Sequence, residues 1–172
     1  MKCQQQQVCV QYYESPCGEL ILASTHNQLC LCDWNEKQCA ERNKRRLQRL
    51  LNATFVVKTS SVIEAAKLQL DQYFEGRRKT FDVPLLLAGT DFQQNVWKAL
   101  QRIPYGTTFS YKEVALCVGN LQGVRAVAQA IGANGIVIFI PCHRVIGSNH
   151  SLTGYAGGVE TKAKLLEIEK RG

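Results

Sequence analysis

Apolar and polar positions alternate with a strand-like period through residues 8–34, and turn residues cut the alternation into runs. Ser15-Pro16-Cys17-Gly18 separates residues 8–13 from 20–23, and His26-Asn27-Gln28 precedes Leu29-Cys30-Leu31-Cys32. A basic helix is predicted over 36–52, then a short strand at Phe55-Val56-Val57. From Ser61 to Phe74 apolar residues recur at helical spacing (Ile63, Ala66, Leu70, Tyr73), and Glu75-Gly76-Arg77 ends that helix. Residues 1–80 thus read as a small antiparallel sheet with one or two packed helices.

The pattern changes after a connecting stretch that runs to Gly89. Thr90 can cap a helix carrying Phe92, Val96, Trp97 and Leu100 on one side, which stops near Ile103-Pro104-Tyr105-Gly106. Ser110-Tyr111-Lys112-Glu113 is a capping-box signature for a helix running to about Val118. Gly119-Asn120 supplies a turn and residues 122–133 form the next helix, so the pair suggests a helix-turn-helix. Ile136-Val137-Ile138-Phe139-Ile140 reads as a buried extended run, and a last helix covers 160–170 after Gly154-Tyr155-Ala156-Gly157-Gly158. The organisation is an α+β domain (1–80), a connecting segment (81–89) and a mostly helical, winged-helix-like domain (90–172).

Composition adds little to the fold but narrows the setting. The chain has 172 residues, 45% apolar and 20% charged with four prolines, so a packed core is expected. No run approaches the roughly 18 apolar residues of a membrane span, and the N-terminus lacks the apolar region of a signal peptide. The expected location is cytoplasmic, or nuclear in a eukaryote, with the eight cysteines reduced. The net charge of +7 favours a polyanionic partner, nucleic acid first. Part of that excess lies in Arg42-Asn43-Lys44-Arg45-Arg46-Leu47-Gln48-Arg49, read as a solvated helix face.

Ile140-Pro141-Cys142-His143-Arg144-Val145 carries the chemistry. A thiol is a strong nucleophile only as thiolate, and neighbouring basic or cationic groups lower its pKa from about 8.5. Pro141 fixes its own φ and biases Ile140 towards an extended conformation, so Cys142 is held in one presentation.

With the helix-turn-helix, Pro-Cys-His-Arg-Val and Gly-Tyr-Ala-Gly-Gly in that order, the chain resembles the O6-alkylguanine-DNA alkyltransferases, also called methylated-DNA–protein-cysteine methyltransferases. The likeness is dense from Thr90 to Glu169: Phe92-Gln93-Gln94-Asn95-Val96-Trp97, Ile103-Pro104-Tyr105-Gly106, Ser110-Tyr111, Val124-Arg125-Ala126-Val127 and 140–146. It is loose over the first 80 residues, chiefly Ser15-Pro16-Cys17-Gly18.

The resemblance implies an N-terminal α/β domain (an RNase H-like ridge) packed on a C-terminal domain. That second domain carries the helix-turn-helix and the reactive cysteine. The implied activity is direct repair: an alkyl group moves irreversibly from O6 of guanine, less readily from O4 of thymine, to Cys142, once per molecule. By the same resemblance His143 takes the thiol proton through a water, Glu169 orients the imidazole and Asn134 joins their hydrogen-bond network. Tyr111 donates to a ring nitrogen of the base. Val145 and Cys142 offer carbonyls to its amine, while Tyr155, Ala156 and Ser148 shape the pocket. The target lies inside a duplex, so the base must be swung out, with Arg125 filling the stack. The helix bearing Arg125, Ala126, Gln129 and Ala130 is slim and short of long polar side chains. That suits sequence-independent minor-groove binding by a monomer. No cofactor, metal or membrane is implied.

Two positions depart from the family pattern: Gly135 stands where proline is usual, and His150 where glycine is common. Cys3, Cys9, Cys17, Cys30, Cys32 and Cys39 with His26 invite a zinc site, which some relatives carry. No Cys-x2-Cys spacing appears, however, and small buried residues are the expectation. Two other classes compete: a helix-turn-helix regulator with a sensing cysteine, which would normally dimerise over half-sites, and a Cys-His hydrolase, which would turn over.

Overall fold

The computed structural model describes residues 5–172. The chain divides into two compact units, 1–88 and 89–172. In the first, β1 (Gln6–Ser15), β2 (Gly18–Thr25) and β3 (Gln28–Trp34) form an antiparallel meander, followed by α1 (Lys37–Leu51), β4 (Ala53–Val57) and α2 (Ser61–Phe74). His26 and Asn27 both take positive φ (47° and 59°), as the two-residue turn between β2 and β3 requires to match strand twist. The sheet order is β3-β2-β1-β4, and β4 joins β1 in parallel, Val8 opposite Phe55. The antiparallel expectation therefore describes three strands, and the fourth makes the sheet mixed. The reason is connectivity: α1 carries the chain back along the sheet, so β4 enters in the direction of β1.

Successive residues of β2 face opposite sides, and the strand is buried on both from Leu20 onward. Ile21 and Ala23 share a core with Ala40 and Leu47 of α1. On the other side the Ser24 hydroxyl hydrogen-bonds that of Ser60, 2.6 Å away, and Ser60 caps α2. One helix thus covers each face. The basic face of α1 is solvated at Arg42, Arg45 and Arg49, while Arg46 donates to Asn43, which donates to buried Asp33 (2.8 and 2.6 Å).

The cysteines here do not gather. Cys30 and Cys32 are buried on β3, and burial pushes the Cys30 thiol up to about 12, which leaves it unreactive. Cys3 lies outside the described residues. Among the described residues no three His, Cys, Asp or Glu side chains converge as metal ligands, and no helix is long and apolar enough to cross a membrane.

The second unit comprises α3 (Asp91–Leu100), β5 (Phe109–Ser110), α4 (Tyr111–Cys117), α5 (Val124–Gly132), β6 (Val145–Ile146) and α6 (Val159–Arg171). Both expected caps form as reciprocal boxes, Thr90 with Gln93 and Ser110 with Glu113. α3 buries Val96, Trp97 and Leu100, but Phe92 is exposed, because one turn earlier the helix face has already left the core. The first turn of the second helix of the helix-turn-helix is a 3-10 turn at Leu121–Gly123, and the α-helix begins at Val124. β5 pairs in parallel with β6, Phe109 opposite Val145. Tyr111 follows β5 directly and Cys142–Arg144 precede β6, so this short pairing brings the two segments together.

The buried Trp97 indole donates to the Ala130 carbonyl at 2.8 Å and ties α3 to α5. Trp97→Phe is expected to cost about 2–3 kcal/mol, one buried hydrogen bond plus a cavity, read from urea unfolding. A loss under about 0.5 kcal/mol would show that this tie does not hold α5.

Candidate active site

Cys142 is presented by two consecutive tight turns. The predicted extended run 136–140 is buried throughout, but it is not extended. Ile138 has φ 72°, with Phe139 N–H bonded to the Val137 carbonyl (2.9 Å) and Ile140 N–H to that of Ile136 (3.0 Å). That is a γ-turn in its rare positive-φ form, strained for a β-branched residue and held by complete burial. Pro141 follows at φ −80°, ψ 63°, an inverse γ-turn closed by Cys142 N–H on the Ile140 carbonyl at 2.8 Å. Residues Cys142–Arg144 then form a single 3-10 turn. An apolar run gives the same periodicity signal whether it is a strand or a buried turn, which is why the two were indistinguishable in sequence.

Asn134 links this turn to the end of α5. Its amide Nδ2 donates to the Ile140 carbonyl (2.9 Å) and to Cys142 Sγ (3.1 Å), and its Oδ1 accepts from Ile136 N–H (2.9 Å). An N–H aimed at sulfur favours the anionic form. Cys142 keeps 7% exposure while His143 keeps none. Gly135 is buried between Asn134 and the turn. His150 sits at φ 63°, a conformation that explains why glycine suits this position.

His143 Nε2 lies 2.6 Å from Glu169 Oε1. Burial holds the imidazole below its ordinary 6.5, outweighing the opposing pull of Glu169, so it is neutral at neutral pH. With Nε2–H given to the carboxylate, Nδ1 carries the basic lone pair. Glu169 also receives Arg144 Nε (2.9 Å) and Nη2 (3.0 Å) and the Gly106 N–H (3.1 Å). Burial alone would raise its pKa, but hydrogen bonds from His143 and Arg144 and their charges bring it down to about 2. Gly106 (φ 74°) leaves a Cβ only 3.2 Å from the Glu169 carbonyl, so glycine is needed there.

The sequence placed Arg144 as a cation beside the thiol. Instead its guanidinium is committed to Glu169 and to the Ile103 carbonyl (2.7 Å), 5.7 Å from the centre of the Tyr105 ring. The side chain is planar and forked, and a buried carboxylate satisfies that geometry better than a single sulfur does.

Tyr111 opens α4 and its hydroxyl donates to the Thr153 carbonyl at 3.2 Å. Burial first, and then the charge of Cys142, raise its pKa, so it remains a protonated donor. Val145 is fully buried, with its carbonyl accepting from Lys162 Nζ. Tyr155 and Ala156 are half-buried on the loop before α6. Ser148 is exposed and lines a cleft of about 340 Å³ with Phe109, Ser110, Ile146 and His150, a set that excludes Cys142 and Tyr155.

On α5, Arg125, Ala126 and Gln129 share an exposed face. Ala130 does not: it is 3% exposed and belongs with Val127 and Ile131 to the buried side of the helix. Arg144's clamp on Glu169 and the buried Lys162 were not assigned from sequence. Lys162, Leu165, Leu166 and Glu169 form the buried stripe of α6, and a lysine at such a helical spacing was the available signal.

Comparison with known proteins agrees with this arrangement along both units. Residues 8–87 match the model for the 6-O-methylguanine DNA methyltransferase ribonuclease-like domain, and residues 91–171 that for its DNA binding domain. The constitutive methylated-DNA–protein-cysteine methyltransferase of Bacillus subtilis (strain 168) is 45% identical over 163 residues, spanning 91% of this chain and 92% of its own. The crystal structure of the Mycobacterium tuberculosis O6-methylguanine methyltransferase superposes with TM-score 0.80 at 42% identity, over 95% of this chain and 93% of that one. Mycobacterium tuberculosis OGT in complex with DNA gives 0.80 at 41%, over 96% and 93%. On these matches the chain belongs to the 6-O-methylguanine DNA methyltransferase family.

Proposed function

We propose that the protein repairs alkylated duplex DNA directly, taking the methyl group from O6 of guanine onto Cys142, and less readily from O4 of thymine. The observation that carries this is a neutral His143 clamped to Glu169 at 2.6 Å on the residue next to Cys142. That is the nucleophile, base and orienting-group arrangement needed to activate a thiol.

The thiol proton passes to His143, through a water by family analogy. The sulfur lone pair then forms the S–C bond as the C–O6 bond breaks. The electron pair left on the base is met by a proton from Tyr111 at a ring nitrogen, and the imidazolium returns its proton to the phenolate through solvent. The product thioether has no group that water can expel, so each molecule acts once.

Access to O6 requires base extrusion. Arg125, Ala126 and Gln129 form the DNA-facing surface of α5, entering the minor groove as a monomer, with Arg125 taking the place of the extruded nucleotide. Arg125→Ala is expected to slow repair of duplex about tenfold to a hundredfold, the scale of the few kcal/mol that unstacking costs. Reaction with a free modified base should be unchanged, and equal losses on both substrates would remove the stack-filling role.

The deciding experiment incubates the protein with a duplex containing O6-methylguanine and records the intact protein mass. One methyl group per chain on Cys142, with guanine restored, is the expected result. An unchanged mass under saturating damaged DNA overturns the reading, and repeated turnover of an ester or amide would favour a hydrolase instead.

A further inference from the structure

Lys162 is 1% exposed on the stripe of α6 that also carries Glu169. A buried lysine is uncommon without an anionic partner, and among the described residues no carboxylate lies within ion-pair distance of this one. Its ammonium instead donates to two backbone carbonyls, those of Val145 and Thr153, the latter at 3.0 Å. The Thr153 carbonyl is the same one that accepts the Tyr111 hydroxyl at 3.2 Å. Two donors therefore converge on one oxygen, and the next residue, Gly154, leaves a Cβ only 3.4 Å from Tyr111 Oη. In this arrangement the Tyr111 proton is committed to the loop, not to a base.

Resting on the proposed function, we infer that Lys162 is a positioning residue for base recognition: it retains the Thr153 carbonyl when the Tyr111 hydroxyl turns to the extruded base, and it orients the Val145 carbonyl for the base's amine. A carbonyl has two lone pairs. At Thr153 the lysine occupies one and makes the tyrosine's bond dispensable, so the hydroxyl leaves without stranding a polar atom. At Val145 it occupies one lone pair and fixes the direction of the other. Burial holds the Lys162 pKa below its ordinary value, and the charge of Cys142 opposes that lowering.

The test is a double-mutant cycle on single-turnover methyl transfer from an O6-methylguanine duplex, using wild type, Lys162→Met, Tyr111→Phe and the double variant. Lys162→Met should slow transfer roughly tenfold to a hundredfold when Tyr111 is present, the size of effect expected for a polar group left unpaired. In the Tyr111→Phe background, where no partner exchange occurs, the loss should be at least about threefold smaller, and what remains belongs to the Val145 carbonyl. A purely structural lysine would give equal losses in both backgrounds, and that result overturns the inference. Lys162→Gln, which can still donate to one carbonyl, should recover part of the rate; if Lys162→Met does not fold, the cycle is run with Lys162→Gln, whose smaller loss should again shrink in the Tyr111→Phe background, and equal losses again overturn the inference. Methylation of wild-type Cys142 is recorded in every series, so failure of the cycle with wild type active rejects only the role of Lys162.

Discussion

Cys142→Ser is expected to abolish methyl transfer, with the rate falling at least 10⁴-fold, to below detection by intact mass. The serine oxygen would occupy the place of the sulfur and could accept the same Asn134 amide, now 3.1 Å from Sγ. Position is therefore retained and only the chemistry of the atom changes. An alcohol is far less acidic than a thiol, and a neutral imidazole held below its ordinary pKa is too weak a base to ionise it. Sulfur is also the softer nucleophile towards a saturated carbon. The variant should still bind damaged duplex within about twofold of wild type, because Arg125, Ala126 and Gln129 lie on a face that the substitution does not touch. Gel shift together with mass measurement separates the two properties. Restored guanine in the presence of the serine variant would mean that some other group is the acceptor.

The parts of this molecule that were legible in the sequence are those governed by local rules. Capping boxes at Thr90–Gln93 and Ser110–Glu113 are written in four-residue windows, and both form. The α2 bounds follow from a helical period closed by Gly76, which takes φ 73°. What escaped depends on contacts distant in the chain. The turn at Ile138 survives because a fully buried setting outweighs its backbone preference, and no local pattern encodes that. Glu169, near the end of the chain, reads as a solvated residue by position; only the resemblance gave it a role, and only the fold shows it 3% exposed with four hydrogen bonds converging on it. Ala130 was placed on the DNA face with its neighbours. Composition alone cannot tell the two sides of an alanine-rich helix apart, and the packing of α5 against α3 and α4, distant in the chain, decides the matter.

Glu169→Gln is expected to damage stability and rate together, and pH distinguishes the two. The carboxylate accepts from His143, twice from Arg144 and from Gly106, and the substitution replaces one acceptor oxygen with an N–H donor facing other donors. A buried arginine left without its counter-charge costs about 3–5 kcal/mol, and His143 loses the acceptor that fixes its tautomer, a loss on the order of 10²–10⁴ in rate. The pH dependence has a definite sign. Glu169 is held at about 2 in the folded state against an ordinary 4.5, so its contribution is complete above pH 4.5 and is lost as pH falls towards 2. That shift corresponds to about 3 kcal/mol at neutral pH. His143 acts in the same direction: with its folded pKa depressed below 6.5, its contribution is present above that value and fades below it, as the unfolded chain gains a proton that the fold refuses. Urea unfolding at pH 7 should therefore show a gap of several kcal/mol between wild type and Glu169→Gln, and the gap should narrow progressively below pH 4.5 as wild type loses what the variant never had. A gap that held constant down to pH 3 would mean that folding leaves the pKa of this carboxyl where it is in the unfolded chain, and the tight anionic anchor for His143 would be lost with the shift.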